Sequence, residues 1–305
     1  MEVDSAQASP PRPRLLLVDG HAYAYRAFYA IRNMRSPAGH PTNAIFGFVK
    51  MLAKMRAALR PSHLAVVWDG GLDASRQSDL PGYKAQRPEM PADLGAQIDE
   101  LGEYLVAEGL ATVCEDGVEA DDLLATLARR AQPAGVDVVI ASSDKDFMQL
   151  VTTGIGLLNP NDKSETIWGE EQVVNKTGVR PEQVVDYLSL LGDAVDNIPG
   201  VPGVGAKTAA TLLQRFGSVD GLYGRLAEVD SERLRGALAA AQADVRRNQK
   251  LVRLRDDLGC APAVDSLQPA TMQLARLREM YARWGFRSLQ AAAEAAMAGG
   301  QQNLL

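Results

Sequence analysis

The chain has 305 residues, 46% of them hydrophobic and 23% charged, an ordinary composition for one large soluble globular domain or two small ones. Its two cysteines, Cys114 and Cys260, provide neither a disulfide framework nor a zinc spacing, which suits a reducing cytosol. The net charge of −6 argues against a nucleic-acid partner only if the acids are spread evenly; acids gathered around cations leave a basic rim free for phosphates. No stretch approaches a membrane span, and the first residues lack the apolar core of a signal peptide.

Residues 1–13 are rich in Pro, Ser and Ala and read as a disordered lead-in. Short apolar runs at Leu15–Val18, Leu64–Trp68, Ala111–Cys114 and Val136–Ala141 then alternate with helical patterns at Ala44–Leu59, Leu94–Glu108 and Glu119–Arg130. Near-continuous apolar strands alternating with helices predict an α/β core, a parallel sheet covered on both faces, with Cys114 inside it. The polar segment 70–91, with Pro81, Gly82, Pro88 and Pro91, is long for a connector and reads as a functional loop. From about Glu170 the pattern turns helical, and the residues from about 299 onward look frayed.

Three of the strands end in acids: Asp19 after the first, Asp69 after the second, and Asp144 and Asp146 beyond the fourth. An aspartate after a strand is commonly a turn or helix-capping residue. Parallel strands, however, present their C-terminal ends on one rim, where ligands bind. Glu119, Asp121 and Asp122 open a helix, where acids are also favoured by the helix dipole, and Asp193 and Asp196 form a further pair three residues apart. If these groups converge, mutual repulsion raises their pKa values unless cations sit among them. Oxygen-only donors select hard ions such as Mg²⁺ or Mn²⁺, two of which clamp the attacking and leaving oxygens of a phosphodiester displacement.

In chain order stand LLLVDGHAYAYRAFYA, VVWDG, LPGYKAQRPEMP, GVEADDLLATLA, SSDKDFMQL and LLGDAVDNIPGVPGVGAKTA. On these motifs, spanning roughly residues 14–255, the chain resembles the 5′-nuclease and flap endonuclease family, which includes the N-terminal domain of bacterial DNA polymerase I. The resemblance implies a PIN-like α/β nuclease core over residues 14–180 with a helical arch at about 70–91. It also implies a helical DNA-binding portion over 181–298, with a helix–hairpin–helix turn at about 193–215, before a frayed tail at 299–305. Its acids fall on Asp19, Asp69, Glu119, Asp121, Asp122, Asp144, Asp146, Asp193 and Asp196, which would hold two or more divalent ions. Lys84, Arg87, Tyr83 and Arg26 match residues of the arch and first helix that would act on the scissile phosphate. The hairpin residues Gly203, Gly205, Lys207 and Thr208, with Arg76, would contact DNA, and the turn would take K⁺.

The implied activity is 5′-3′ exonuclease and flap cleavage of DNA, and of RNA primers in RNA–DNA hybrids, at 5′ flaps, overhangs and nicks. It would serve replication and repair in the cytoplasm, at the bacterial nucleoid, with no membrane partner. None of the three histidines, His21, His40 and His63, lies within an acid motif, so no histidine base is expected. The arch departs from its relatives: Gly71, Asp73 and Ser75 stand where many carry basic residues, so residues 70–91 are neutral and Asp73 should weaken the grip on a flap. The rival readings are a non-catalytic DNA-structure binder on the same fold, a ribonuclease and an aspartyl phosphatase. The complete acidic set disfavours the first, and the hairpin turn disfavours the other two.

Overall fold

A computed structural model describes residues 12–162 and 166–300. The chain-order elements are β1 (Arg14–Asp19), α1 (Gly20–Ala30), α2 (Asn43–Leu59), β2 (His63–Val67), α3 (Ala74–Asp79), α4 (Ala92–Ala107), β3 (Ala111–Val113), α5 (Ala120–Ala131) and β4 (Asp137–Ala141). After a 3₁₀ turn at Lys145–Leu150 come β5 (Ile155–Leu158) and β6 (Ile167–Trp168). The rest is helical: α6 (Glu170–Thr177), α7 (Val184–Leu191), α8 (Ala206–Phe216), α9 (Val219–Gly224), α10 (Glu232–Ala240), α11 (Gln242–Val252), α12 (Leu274–Trp284) and α13 (Arg287–Gly299). No helix among the described residues is long and apolar enough to cross a membrane.

The strands order as β3-β2-β1-β4-β5-β6, parallel except for the β5–β6 pair. Central β1 shows why its sequence is apolar throughout. Leu15 and Leu17 face a core shared with α5, α7 and α8, while Leu16 and Val18 face α2 and α4. A strand buried on both faces has no polar side to alternate with. The four expected strands occur within a residue or two of their predicted bounds. Strands β5 and β6 were not expected, because Gly156 interrupts the first and the second has two residues.

Two expectations fail here. Cys114 lies just past the end of β3 and is exposed, because that edge strand is short and the chain turns outward to Glu115 and Asp116. The C-terminal helices, expected in the DNA-binding portion, fold back onto the nuclease core instead. Leu277, Met280, Tyr281 and Trp284 recur at three- and four-residue spacing, and that stripe buries against α4 on the β1 face opposite α5. Trp284 packs 6.2 Å from both Tyr104 and Tyr281 and 5.5 Å from Phe286, and its indole N–H donates to Glu100. The readings made for residues 1–11 and 301–305 lie outside the described residues.

This return makes the C-terminal hairpin part of the cooperative core. Trp284→Ala should cost about 3–5 kcal/mol, the usual range for emptying a buried aromatic site. Urea unfolding monitored by circular dichroism would read it as a lower midpoint. A loss below about 1 kcal/mol would place α12 and α13 outside the cooperative unit.

Candidate active site

The parallel register lines up the acids. Asp19 ends β1 beside Val67 of β2, two residues before Asp69, and β4 delivers Ser142 and Asp144 on the other side. One Asp19 oxygen caps α1 through the Ala22 N–H at 2.9 Å, and the other accepts the Ser142 hydroxyl at 2.7 Å. Asp144 accepts the Asp146 N–H at 2.9 Å and so opens the 3₁₀ turn. Asp19 and Asp144 are therefore caps, as the structural reading of such aspartates holds, but capping leaves both on the shared rim. Gly70 is required by the same packing: a Cβ there would stand 1.8 Å from the Glu115 carbonyl oxygen. The His21 ring accepts the Asp69 N–H at 3.1 Å and meets Trp68 edge-on. Sequence reading set this histidine apart from the acid motifs, yet it braces one of them, with burial lowering its pKa against the pull of Asp69.

Charge is crowded on the rim. Burial, with Asp144 and Asp69 nearby, pushes the Asp19 carboxyl up to about 6 despite its two hydrogen bonds. Burial and then Asp144 and Asp19 raise Asp121 well above the carboxylate range. Burial also raises Asp144 and Asp146, with Asp193 and Asp196 adding to both and Asp144 to Asp146, although the Asp146 N–H works to lower Asp144. Asp193 goes the other way: burial works to raise it, but the Lys145 ammonium at 2.9 Å holds it below the usual range. One Asp146 oxygen is buried without any hydrogen-bond partner.

These residues fit hard divalent cations. All donors are carboxylate oxygens, their anionic forms destabilise one another, and a buried oxygen stands unpartnered. Among the described residues, no three such side chains close around a single point. That suits ions such as Mg²⁺, which keep several waters and use few protein ligands.

Two of the nine acids behave differently. The Asp122 carboxylate is fully buried and taken by the Arg76 guanidinium through two bonds of 2.8 and 2.9 Å, with the Arg255 backbone N–H at 2.9 Å. Its oxygens are engaged by these partners on the arch-base side, behind the rim. Glu119 accepts from Lys84 at 2.8 Å, Arg76 at 2.9 Å and the Tyr83 hydroxyl at 3.2 Å. Arg76 is thus buried and turned to the protein, with four hydrogen bonds to Asp122, Glu119 and the Arg253 carbonyl, where the sequence suggested a DNA contact. Asp73 is likewise no exposed repulsive charge: it is buried, caps α3 through the Ser75 and Arg76 N–H groups, and pairs with Arg255 at 2.9 Å.

The arch therefore lies down on the site. Of the six charges in residues 70–91, Asp73, Arg76 and Lys84 are buried, leaving Arg87 exposed against Asp79 and Glu89. Lys84 sits at φ +56, with its N–H on the Asp196 carbonyl at 3.0 Å; a lysine in the left-handed region marks a backbone held by its surroundings. Arg87 reaches Asp196 at 2.6 Å, and Tyr83 is buried beneath the Lys84 ammonium. Arg26 lies exposed on α1 and donates to Asn161. Lys145, quoted in the Asp-Lys-Asp motif without a role, neutralises Asp193.

In the hairpin, Asp193 and Ile198 exchange two backbone hydrogen bonds, and the turn reaches α8 at Ala206. Its glycines divide by task. At Gly200 a Cβ would stand 1.9 Å from the Leu191 carbonyl oxygen, so this glycine serves packing. Gly203 and Gly205 face open space, with Lys207 exposed and Thr208 half-buried beside them. Asn248 of α11 fastens the turn, donating to the carbonyls of Ser189 at 3.1 Å and Pro199 at 2.7 Å.

The family description "5′-3′ exonuclease, N-terminal resolvase-like domain" matches residues 14–178, and "5′-3′ exonuclease, C-terminal SAM fold" matches residues 179–275. A 5′-3′ exonuclease of Aquifex aeolicus is 36% identical over 275 residues, covering 90% of this chain and 93% of its own. DNA polymerase I of Pseudomonas aeruginosa is 40% identical over 281 residues, covering 90% of this chain but 31% of the polymerase. Among solved structures, the T5 5′-exonuclease with bound divalent metal ions superposes with a TM-score of 0.67 at 22% identity, covering 93% of this chain and 98% of that one. The catalytic core of Rad2 in complex with DNA substrate gives 0.62 at 18% identity, covering 94% and 92%. At those identities the two structures establish a shared fold.

The crowded carboxylates set a pH dependence. Asp19 binds its proton more tightly folded than unfolded, so its contribution to stability is complete below about pH 4 and lost as pH rises through about 6. The gap from 3.8 to about 6 corresponds to about 3 kcal/mol. In metal-free protein, Asp19→Asn should gain stability relative to wild type between pH 4 and 7 by that order. Unfolding in chelator at several pH values would measure it, and a pH-independent difference would remove the crowding.

Proposed function

The chain belongs to the 5′-3′ exonuclease family, and from that premise we propose that it hydrolyses DNA phosphodiesters near 5′ ends, at flaps, overhangs and nicks, and RNA primers in hybrids, during replication and repair. The observation that carries this reading is the rim itself: acids from strand ends, one helix and the hairpin-bearing turn crowd together, burial and neighbouring carboxylates raise Asp19, Asp121, Asp144 and Asp146, and one Asp146 oxygen is buried without a partner. The non-catalytic alternative is not favoured, since a binder of polyanionic DNA gains nothing from such a concentration of acids. This chain spans 31% of the length of the Pseudomonas aeruginosa DNA polymerase I.

Asp19, Asp69, Asp121, Asp144, Asp146, Asp193 and Asp196 would hold two Mg²⁺ or Mn²⁺ ions, with Glu119 adjoining once Lys84 leaves it. Divalent ions there supply Lewis acidity for the attacking water and charge neutralisation for the leaving oxygen. The products are a 5′-phosphate and a 3′-hydroxyl, with the water's oxygen on phosphorus and its proton accounting for the hydroxyl. Lys84 turns from Glu119 toward the scissile phosphate, and Arg76 stays on Glu119 so that this carboxylate is not left buried and unpaired. Arg87 similarly exchanges Asp196 for phosphate, and Arg26 meets the strand on the α1 side. Gly203 and Gly205 would let duplex backbone approach the N-terminus of α8, Lys207 and Thr208 would add contacts there, and the turn would hold K⁺.

Cleavage of a 5′-flap DNA should require Mg²⁺ or Mn²⁺ and stop in excess chelator; turnover in chelator would overturn the reading. Asp144→Asn should abolish cutting while leaving the protein folded. Lys84→Ala should lose far more turnover than affinity, because its ammonium serves Glu119 until the phosphate is in place. Lys207→Ala should weaken duplex binding for all sequences and flatten the slope of log K against log salt by about one unit. An unchanged slope would make the hairpin a plain connector.

A further inference from the structure

Behind the rim lies a second ionic cluster, in which Asp73, Asp122 and Arg255 take no part in the hydrolysis proposed above. It joins Asp73 and Arg76 of the arch base, Glu119 and Asp122 at the start of α5, and Arg255, which is distant in sequence from all of them. Arg76 alone satisfies Asp122 with two bonds, so a second guanidinium is not needed to neutralise that carboxylate. Arg255 nevertheless places its N–H on Asp122 at 2.9 Å, its Nε at 3.5 Å from the same group, and its terminal nitrogen on Asp73 at 2.9 Å. Arg76 in turn donates to the Arg253 carbonyl at 3.1 Å.

What carries Arg255 is the end of α11. The amide of Gln149, in the 3₁₀ turn that holds Asp146, clamps this strap by donating to the Val252 carbonyl at 2.9 Å and accepting the Leu254 N–H at 3.0 Å. Helix α11 therefore holds the hairpin at Asn248, and the extended strap that follows it, clamped by Gln149, holds the arch base at Arg255, seven residues further on. The hairpin and the arch base are thus joined by one short, continuous stretch of chain with hydrogen bonds at both ends.

We propose that Arg255 is a positioning residue for the hydrolysis: it fixes the base of the arch against α5 and ties the placement of Lys84 to the hairpin through α11. The route is short. Asp73 caps α3, Arg76 follows three residues on, and the arch then turns at Leu80–Tyr83 to deliver Lys84 onto Glu119, the same carboxylate that Arg76 holds. Loosening Asp73 from Arg255 moves the frame on which Lys84 is hung, without touching any acid of the rim.

The inference rests on the nuclease reading, and its test includes a readout independent of cleavage. Arg255→Ala should lower kcat on a 5′-flap DNA about tenfold with KM within about twofold, since a misplaced group costs turnover and not ground-state binding. Arg255→Lys should recover part of the loss. Asp73→Asn keeps a good cap but removes the charge, so it should show the same loss. The double variant should be no worse than either single one, as expected for two members of one contact. In parallel, amide hydrogen exchange of residues 80–87 should quicken in Arg255→Ala while that of β1 and β4 stays as in wild type. A loss confined to KM, additive single effects, or exchange at 80–87 equal to wild type would each overturn the proposal. A wild-type protein that fails to cut flap DNA would sink the nuclease reading instead and leave the exchange comparison to decide the role of Arg255.

Discussion

The organising constraint of this molecule is the confinement of like charges. Several carboxylates share one edge of a parallel sheet, and each makes the others harder to ionise. Such an arrangement is tolerable because the neighbouring structure supplies cations: Lys145 on Asp193, Arg87 on Asp196, Lys84 on Glu119. The site is stabilised by cations supplied from the arch and from the 3₁₀ turn. The architecture around it, from the caps on Asp19 and Asp144 to the folded-down arch, serves to hold acids where they are individually unfavourable.

A distinction follows between acids of the rim and acids of the frame. Among the rim acids, burial and crowding raise Asp19, Asp121, Asp144 and Asp146; Asp122 and Asp73, by contrast, are engaged by Arg76, Arg255 and backbone N–H groups. A buried ion pair is weak evidence for stability, since desolvation consumes most of the Coulombic gain. Its geometric consequence is firmer, because a two-pronged guanidinium fixes orientation as well as distance. In this chain that orientation is spent on the arch, which carries Lys84 in a left-handed backbone conformation over Glu119.

Membership of the 5′-3′ exonuclease family and the composition of the rim were legible because they rest on local patterns. A continuous apolar run such as Leu15–Val18 is a strand buried on both faces, and an aspartate at its end falls on the C-terminal rim by the geometry of parallel sheets. Leu277, Met280, Tyr281 and Trp284 form an apolar helix face, but a helical period does not name its partner. Its destination, the α4 side of the sheet, depends on which hydrophobic surface remained uncovered. Strands β5 and β6 escaped notice because a glycine and a two-residue length erase the alternation on which strand reading depends.

From residue order alone came the chemistry: oxygen-only donors in several groups, a glycine-rich hairpin with a lysine after it, and a loop too long to be a connector. Tertiary structure decided which charge meets which. Asp73, Arg76 and Lys84 look in sequence like exposed loop charges, and all three are buried because partners far along the chain, Arg255, Asp122 and Glu119, close over them. Sequence spacing governs contacts within a helix or between neighbouring strands, where geometry repeats. Pairing between residues 73 and 255 depends on the path of everything between them, and no local period encodes that path.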